Sequence, residues 1–361
     1  MKFNGEIYLR GVCAVVAIGA ALCFSLWAEE HRPEALRIAD PIRQGGIVVF
    51  PVVSTVTVVS DYQYTTLDEG LASGQVVISE IGGSSQQLQT NVARETAQAT
   101  QQTVEQEQSV QQHSSGAQVN TLVISNNSER YLYLMTGEVI KGAKQDRMIA
   151  RDVVLPPGVQ DVALDVFCVE SGRWAFESER FASAQVVTGA QIRSTAQVAK
   201  DQNAVWAQVA QVNRAVGASS ATGTLRAAYE KEDVRAQIEE HGQLLGAQLD
   251  SIPGVVGVVV AINGQIVVAD IFGLPQLFLK LRHKLLASYI LDALTTQDGG
   301  GGVPALEDVR RYLDRILIAE RRLDVRDEHV KVYYIQTDEA QGTRTFHGSQ
   351  ELHLNSFPET P

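Results

Sequence analysis

The sequence predicts an α+β fold: an antiparallel, β-sandwich-like N-terminal half, then a helix-rich C-terminal half that contains β-hairpins. Three observations predict it. Short β-branched segments separated by turn residues recur up to about residue 169, and segments rich in Ala, Gln, Glu and Arg follow from about residue 191. Later, Asn263-Gly264 separates two apolar runs. These patterns are typical of antiparallel strands, amphipathic helices and a type I′ hairpin, respectively.

Composition places the chain among globular proteins. It has 361 residues, of which 45% are hydrophobic and 20% charged, with a formal net charge of −12. Such an acidic body repels phosphate backbones, so we expect no nucleic-acid partner. We predict a β-rich region at 36–185 and a helical and β-hairpin region at 186–356, packed together as one unit.

The N-terminal segment 1–28 predicts a signal peptide or a membrane anchor. Lys2 and Arg10 precede an apolar run at 11–28, after which the chain becomes charged. We expect export to the periplasm or the extracellular space, with this segment either cleaved or kept as the only membrane contact. Cys168 is the one cysteine outside it, so no disulfide is expected within the exported body.

The first region should contain short strands and one short helix. Thr66 and Glu69 have the spacing of a capping box, which predicts a helix from that point. A low-complexity insert at 84–118, rich in Gln, Thr and Ser, has too few large apolar residues to pack a core. The β-branched segments predict two short strands within 45–60, interrupted by Pro51, and further strands at 76–81, 119–125, 131–136, 147–155 and 162–169.

The second region alternates helices with hairpins. Apolar residues at helical spacing predict helices at 191–216, 224–249, 274–294 and 306–322. The runs 255–262 and 265–271 flank Asn263-Gly264 and predict a hairpin, and 329–354 predicts further strands.

The stretch 137–174 combines charged residues, glycines, a cysteine and a tryptophan, which is more than structural turns require. Strand alternation puts Glu170 at the end of an apolar strand face, where partial burial would raise its pKa and suit it to act as a general acid or base. Arg173 is close enough to pair with Glu170 or to hold an anion, and Trp174 could form a stacking wall. In the alternative, Glu170 and Arg173 tie down the turn and Trp174 fills the core.

The residues 144–147 form a second candidate group. Gln145 and Arg147 should share one strand face and offer an amide and a guanidinium to a carboxylate or phosphate, with Lys144 and Asp146 on the other face. The alternative is a solvated turn with an internal Asp–Arg pair. Further along, Gln202 and Trp206 lie one helical turn apart and either close over the Trp174 region or pack in the core.

Several common site types are not predicted. No histidine lies near Cys168 in the sequence, so we expect a buried, inert thiol. The spacing of His and Cys residues predicts no metal site, and no nucleotide-binding glycine loop or nucleophile elbow is present. We therefore predict no cofactor.

Three motifs resemble the family of ARG and rhodanese-phosphatase-superfamily-associated protein domains, over about residues 45 to 292. Its name records genomic association with ADP-ribosylglycohydrolases and rhodanese-phosphatases, so the resemblance implies no particular activity. It does imply that 137–174 forms the functional surface. The motifs are Gly137-Glu138-x-x-x-Gly142-x-Lys144-Gln145-Asp146-Arg147, Cys168-Val169-Glu170-x-Gly172-Arg173-Trp174 and Asp201-Gln202-x-x-x-Trp206.

From these observations we expect an exported accessory module that binds a small anionic or nucleotide-like ligand; protein partners are not predicted. The candidate ligand-binding residues are Lys144, Gln145, Arg147, Arg173, Trp174, Gln202 and Trp206. The alternatives are a structural scaffold of the envelope and a hydrolase. In the hydrolase, Glu170 or Glu138 would act as acid–base, and Asp146 or Arg173 would orient the substrate.

Overall fold

The structure, a computed structural model, describes residues 35–81, 121–173, 175, 177–296, 302–326 and 329–359. The predicted N-terminal segment 1–28 and the insert 84–118 lie outside the described residues. Large antiparallel sheets and seven helices confirm the predicted α+β class. No helix within the described ranges is long and apolar enough to cross a membrane.

The strands of the described residues are, in chain order, β1 Leu36–Ile38, β2 Ile42–Gln44, β3 Ile47–Ser54, β4 Tyr64–Thr66, β5 Val76–Glu80, β6 Thr121–Asn126, β7 Tyr131–Leu134, β8 Glu138–Gly142, β9 Arg147–Ile149, β10 Val153–Leu155, β11 Val162–Cys168, β12 Phe181–Val187, β13 Val255–Ile262, β14 Gln265–Phe272, β15 Arg321–Arg326, β16 Val330–Gln336, β17 Ala340–His347 and β18 Gln350–Pro358. The α-helices are α1 Leu67–Ala72, α2 Ala190–Ser194, α3 Gln202–Ala215, α4 Arg226–Glu230, α5 Glu232–Asp250, α6 Pro275–Thr295 and α7 Leu306–Ile318, and a π-helix spans Thr195–Ala199.

These strands form three sheets. A nine-stranded antiparallel sheet has the order β1-β3-β13-β14-β18-β17-β16-β15, with β2 beside β3. A six-stranded sheet has the order β12-β8-β9-β11-β6-β5, and a three-stranded sheet the order β10-β7-β4. Because β1–β3 pair with the sheet of the C-terminal hairpins, the two predicted regions share one sheet.

The hairpin of β13 and β14 confirms the strongest local prediction. Asn263 has a φ of 49° and Gly264 a φ of 82°, the positive values that a type I′ turn needs at both central residues. Thr66 likewise caps α1, and its capping box with Glu69 is present.

The expectation of two strands around Pro51 was wrong, since β3 runs through this proline. Pro51 pairs with Val258 of β13, and its carbonyl oxygen accepts a hydrogen bond from the Ala39 amide in the segment between β1 and β2. In an antiparallel strand the N–H and C=O of one residue point to the same neighbour. The missing proline N–H therefore faces the break between β1 and β2, where no ladder bond is lost.

Three predicted helices are shorter or more divided than expected. The segment 224–249 contains α4 and α5, which are separated because Lys231 adopts an extended backbone with φ −61° and ψ 128°. The segment 191–216 contains α2, the π-helix and α3, because Lys200 adopts a left-handed φ of 51° and Asp201 then caps α3 by accepting from two backbone amides. Helix α7 ends at Ile318, and Arg321 begins a strand instead. The Arg321 guanidinium lies 5.6 Å from the centre of the Tyr333 ring on β16, a contact that favours the strand.

The nine-stranded sheet separates two apolar cores. Alternation along β13 sends Val258 and Val260 towards α6 on one face, and Val259 towards α7 on the other. One face of the six-stranded sheet forms a third apolar core. Its other face packs against the helices α3 and α4.

A buried charge network crosses the first core. Asp270 on β14 accepts two hydrogen bonds from the Arg193 guanidinium, both at 2.8 Å, and one from the Tyr289 hydroxyl. His353 on β18 contacts Asp270 through Nε2 at 3.2 Å and Asp152 through Nδ1 at 2.9 Å. All five side chains are at most 2% exposed. Their contacts tie β14 and β18 to α2, α6 and the segment between β9 and β10.

The protonation states in this network depend on one another. Burial alone would lower the pKa of His353, but Asp152 and Asp270 raise it from 6.5 to about 9. Burial would raise the pKa of both carboxyls, but Arg193 and His353 hold the pKa of Asp270 below its usual value, and His353 does the same for Asp152. The network therefore contains two cations and two carboxylates at neutral pH.

We expect the stabilisation from His353 to be complete below pH 6.5 and to be lost as the pH rises through about 9, because its pKa is raised in the folded state. A shift of this size corresponds to about 3 kcal/mol of unfolding free energy. Urea denaturation near pH 6 and near pH 9 measures it. His353→Gln, which cannot take up the proton, should lack this pH dependence, whereas His241→Gln, on α5 outside the network, should keep it. Equal pH dependence in wild type and His353→Gln would contradict the assignment.

Candidate functional site

The predicted motif region lies at one end of β8, β9 and β11, which are neighbouring interior strands of the six-stranded sheet. Gly142, the last residue of β8, has a φ of 119° at the start of the turn to β9. Residues that carry a side chain rarely adopt this backbone conformation. A Cβ at Gly142 would also lie 2.5 Å from the Ser178 hydroxyl oxygen. The absence of a side chain at Gly142 thus allows the turn between β8 and β9 to approach the segment at 178–181 closely.

Asp146 is fully buried and is the centre of a charged cluster whose arginines are partly exposed. Its Oδ2 accepts hydrogen bonds from the Thr224 hydroxyl and from Arg226 Nε, both at 2.7 Å. Its Oδ1 lies 3.3 Å from Arg173 Nη2 and accepts a hydrogen bond from the Gly142 amide at 3.3 Å. The Asp146 side chain is therefore satisfied by two arginines, a hydroxyl and a backbone amide.

Glu170 and Arg173 belong to the same cluster. Arg173 donates to the Glu170 carboxylate through Nε at 3.0 Å and Nη2 at 2.8 Å, and to the Ala143 carbonyl oxygen through Nη1 at 2.7 Å. Glu170 also accepts from the Asp146 amide at 2.9 Å. Arg173 makes a further ion pair with Glu177. Sequence spacing correctly placed Glu170 near Arg173, and the structure adds the carboxylates of Asp146 and Glu177.

The expected rise in the pKa of Glu170 is not found. Burial would raise it, but hydrogen bonds from Arg173, Thr222 and the Asp146 amide outweigh burial and hold the pKa of Glu170 below its usual value. The carboxylate is thus ionised at neutral pH and held by its donors. Of these donors, only Arg173 was predicted to lie near Glu170.

The other residues of the 144–147 group are also largely enclosed. Arg147 is 1% exposed, donates to Gln145 Oε1 at 3.1 Å and lies 3.7 Å from the Glu80 carboxylate. The Lys144 amide lies 3.4 Å from the same carboxylate, and the Lys144 side chain is half-buried. Gln145 and Arg147 do share a face, as predicted, and they bond to each other there.

Gln202 holds the end of β11. Its Oε1 accepts from the Cys168 amide and its Nε2 donates to the Cys168 carbonyl oxygen, both at 2.8 Å. The amide side chain thus mimics a neighbouring strand. Trp206 is half-buried one turn along α3, and Trp174 lies outside the described residues. Cys168 is a buried free thiol whose pKa burial raises to about 11, which agrees with the expected inert thiol.

Glu138 does not join the Asp146 cluster. It is fully buried on β8 and forms an ion pair with Lys284 of α6, which also lies 2.8 Å from Asp68. Burial, more than the opposing attraction of Lys284, raises the pKa of Glu138. The two predicted acid–base candidates, Glu170 and Glu138, therefore lie in separate clusters.

A cavity of about 400 Å³ beside β11 lies between the six-stranded sheet and the nine-stranded sheet. Val166 and Phe167 of β11 line it, and Val325 and Val332 line it from the nine-stranded sheet. Gln197 of the π-helix also lines it and donates a long hydrogen bond of 3.5 Å to the Thr343 hydroxyl. Such a volume is in the range of small-ligand pockets, and π-helical turns often occur at functional sites.

Four charged residues surround this cavity as two ion pairs. Arg151 contacts Asp165 at 2.9 Å, and Lys200 contacts Asp324 at 3.2 Å. All four are at least 31% exposed, so solvent reaches both pairs. These residues come from four distant segments, and only the fold brings them together. No local pattern in the sequence could have identified them.

Among the described residues, no group of three or more His, Cys, Asp or Glu side chains could hold a metal ion. The comparisons with known proteins give one result. A family model described as ARG and Rhodanese-Phosphatase-superfamily-associated Protein domain matches residues 35–357. Neither a curated protein nor a solved structure matches.

We expect Asp146→Asn to lower the free energy of unfolding by roughly 3–5 kcal/mol, because an amide cannot neutralise Arg173 and Arg226. Asp308→Asn is the matched control, since Asp308 forms an exposed ion pair with Arg311, and should change stability by at most about 1 kcal/mol. Urea denaturation of both variants measures the difference. A cost for Asp146→Asn no larger than that of the control would show that the cluster contributes little.

Proposed function

We propose that this chain, which belongs to the family of ARG and rhodanese-phosphatase-superfamily-associated protein domains, is an accessory ligand-binding domain for a small anionic or nucleotide-like molecule. The observation that supports this proposal is the cavity of about 400 Å³ beside β11. We infer that the ligand binds there, apart from the Asp146 cluster, none of whose residues lines the cavity.

The cavity combines an apolar floor with a charged rim. Phe167 and the valines of β11 and the nine-stranded sheet offer contacts to a ring or a base, while Lys200 and Arg151 supply cations. Both cations are paired with carboxylates, but exposed ion pairs contribute only about 0–1 kcal/mol. An anionic group of the ligand can therefore replace Asp324 or Asp165 at little cost.

The motif residues have a supporting role in this proposal. Gln202 fixes the backbone of Cys168, and the Asp146 cluster fixes the turn after β11, so that Val166 and Phe167 are held in one position. Preorganised walls reduce the entropy that binding loses. Arg147 and Arg173 already form ion pairs with protein carboxylates. They therefore affect ligand binding indirectly, by fixing the position of β11.

The alternatives lead to different observations. A hydrolase would turn over a bound ligand, and Glu170→Gln would reduce turnover while binding persists. A structural scaffold would bind none of the candidate ligands.

We expect a ligand from a panel of ADP-ribose, NAD, nucleotides and sugar phosphates to raise the melting temperature of residues 29–361. At about 100 times its dissociation constant, a ligand adds roughly 2.7 kcal/mol, which moves the transition by degrees. Lys200→Glu should abolish this shift, because it reverses a rim charge. Lys141→Glu, at an exposed position of β8 away from the cavity, should retain it. A shift that survives both Lys200→Glu and Arg151→Glu would exclude the cavity as the site.

We also propose that the chain is exported, which rests on the sequence of residues 1–28 alone. Fractionation of expressing cells should place the full chain outside the cytoplasm or on the membrane. A variant without residues 2–28 should stay in the cytoplasm. Cytoplasmic full-length protein would contradict this proposal.

A further inference from the structure

A second cleft, of about 570 Å³, lies between α2, α3 and the C-terminal end of α6. We propose that it is a binding site for a small aliphatic ammonium ligand, with Asp292 as the group that binds the ammonium. The site goes beyond the proposed function, because it lies apart from the cavity beside β11 and selects the opposite charge.

The charge of the cleft comes from one side chain. Asp292, on the last turn of α6, is the only charged residue among the described lining residues. Its Oδ2 accepts a hydrogen bond from the Ala190 amide at 2.8 Å, and no Lys, Arg or His in the described ranges forms an ion pair with it. The close approach depends on Gly189, since a Cβ there would lie 1.9 Å from Asp292 Oδ1. The fold therefore holds at the cleft a carboxylate that no cationic side chain of the described residues contacts in an ion pair.

The end of α6 adds to this negative potential. The helix spans 21 residues and has no basic residue in its last turn. The partial negative charge of a helix C-terminus attracts cations, and here no side chain of that turn compensates it. Thr295 and Thr296 both donate their hydroxyl groups to the Asp292 carbonyl oxygen, which fixes the end of the helix beside the carboxylate.

A hydrogen-bond acceptor and apolar side chains of the cleft indicate the other groups that the ligand should carry. Gln208 donates its amide to the Thr195 hydroxyl at 2.7 Å, and its Oε1 is buried without a donor among the described residues. Ile192 and Val212 line the same cleft and can contact methylene groups. A protonated amine on a short aliphatic chain matches all three features, since it carries several donors, a positive charge and an apolar body.

Asp292 is ionised at neutral pH. Burial raises its pKa to about 6, and the Ala190 amide and Arg193 limit the rise. Arg193 of α2 and Tyr229 of α4 are the other ionisable groups that interact with it, and the pKa of each is raised, so both stay protonated from pH 5 to pH 8. Lowering the pH towards 5 should therefore remove the charge of Asp292 and weaken the binding of an amine.

Titration calorimetry of the whole chain at low salt tests the site, with butylamine and putrescine as probes and butanol as the neutral control. We expect both amines to bind saturably near pH 7.5 and butanol not to bind. Asp292→Asn, which keeps an acceptor for the Ala190 amide, should weaken amine binding about tenfold or more. Asp40→Asn, at an exposed position outside the cleft, should leave it unchanged.

Gln211→Lys gives a test that does not disturb a buried group. Gln211 is an exposed residue of α3 that lines the cleft, so a lysine there places a tethered ammonium next to the site and should abolish amine binding while the fold is kept. The proposal is overturned if wild type binds neither amine, if butanol binds as tightly, or if Asp292→Asn and Gln211→Lys both bind the amines like wild type.

Discussion

The contact of Asp270 with Arg193 and His353, which His353 extends to Asp152 of the first region, is the constraint on which the arrangement of the two regions depends. A buried carboxylate is tolerated only with paired charges and hydrogen bonds, so the chain must bring α2 and β18 to β14. The motif region must fit this contact. A Cβ at Gly137 would lie 2.6 Å from Arg193 Cδ, so the first glycine of the motif leaves the space through which the arginine passes. The conformation of the motif and the packing of the central sheet are therefore coupled through one side chain.

The Asp146 cluster repeats this arrangement at the surface of the second sheet. In both networks a carboxylate with no exposed area receives hydrogen bonds from two cationic side chains, and each cation belongs to a different segment. This explains why the motif is rich in charged residues although few of them are accessible. Their charges neutralise one another and hold β8, β9 and β11 in register with the segment at 222–226. We propose that contacts with a ligand are made instead in the cavity beside β11.

Local rules predicted the local structure well. Asn263-Gly264 requires positive φ at two residues, and Thr66 with Glu69 forms a capping box, so the β13–β14 hairpin and α1 could be read from neighbouring residues. The prediction at Pro51 was wrong, because the effect of a proline depends on which partner strand faces its missing N–H, and the local sequence does not show this.

The candidate site has the same dependence on residues that are distant in the sequence. The pairing of Glu170 with Arg173 follows from a separation of three residues, but Thr224, Arg226 and Lys200 reach their partners only through long-range packing. The π-helix and the left-handed conformation of Lys200 were not predicted, because a search for apolar residues at a spacing of 3.6 does not detect either feature.

The pairing of β5 with β6 has a consequence for how this family can vary. Glu80 and Leu122 are opposite each other across an antiparallel ladder, so the chain leaves and re-enters the sheet at points only one strand spacing apart. The entropy of closing a loop across so short a distance grows slowly, by about 0.6 kcal/mol for each doubling of its length. The spacing of β5 and β6 therefore sets little energetic limit on the number of residues between Glu80 and Leu122. A relative with fewer residues between these two positions could keep the same strand pairing, because the two strands are neighbours in the sheet.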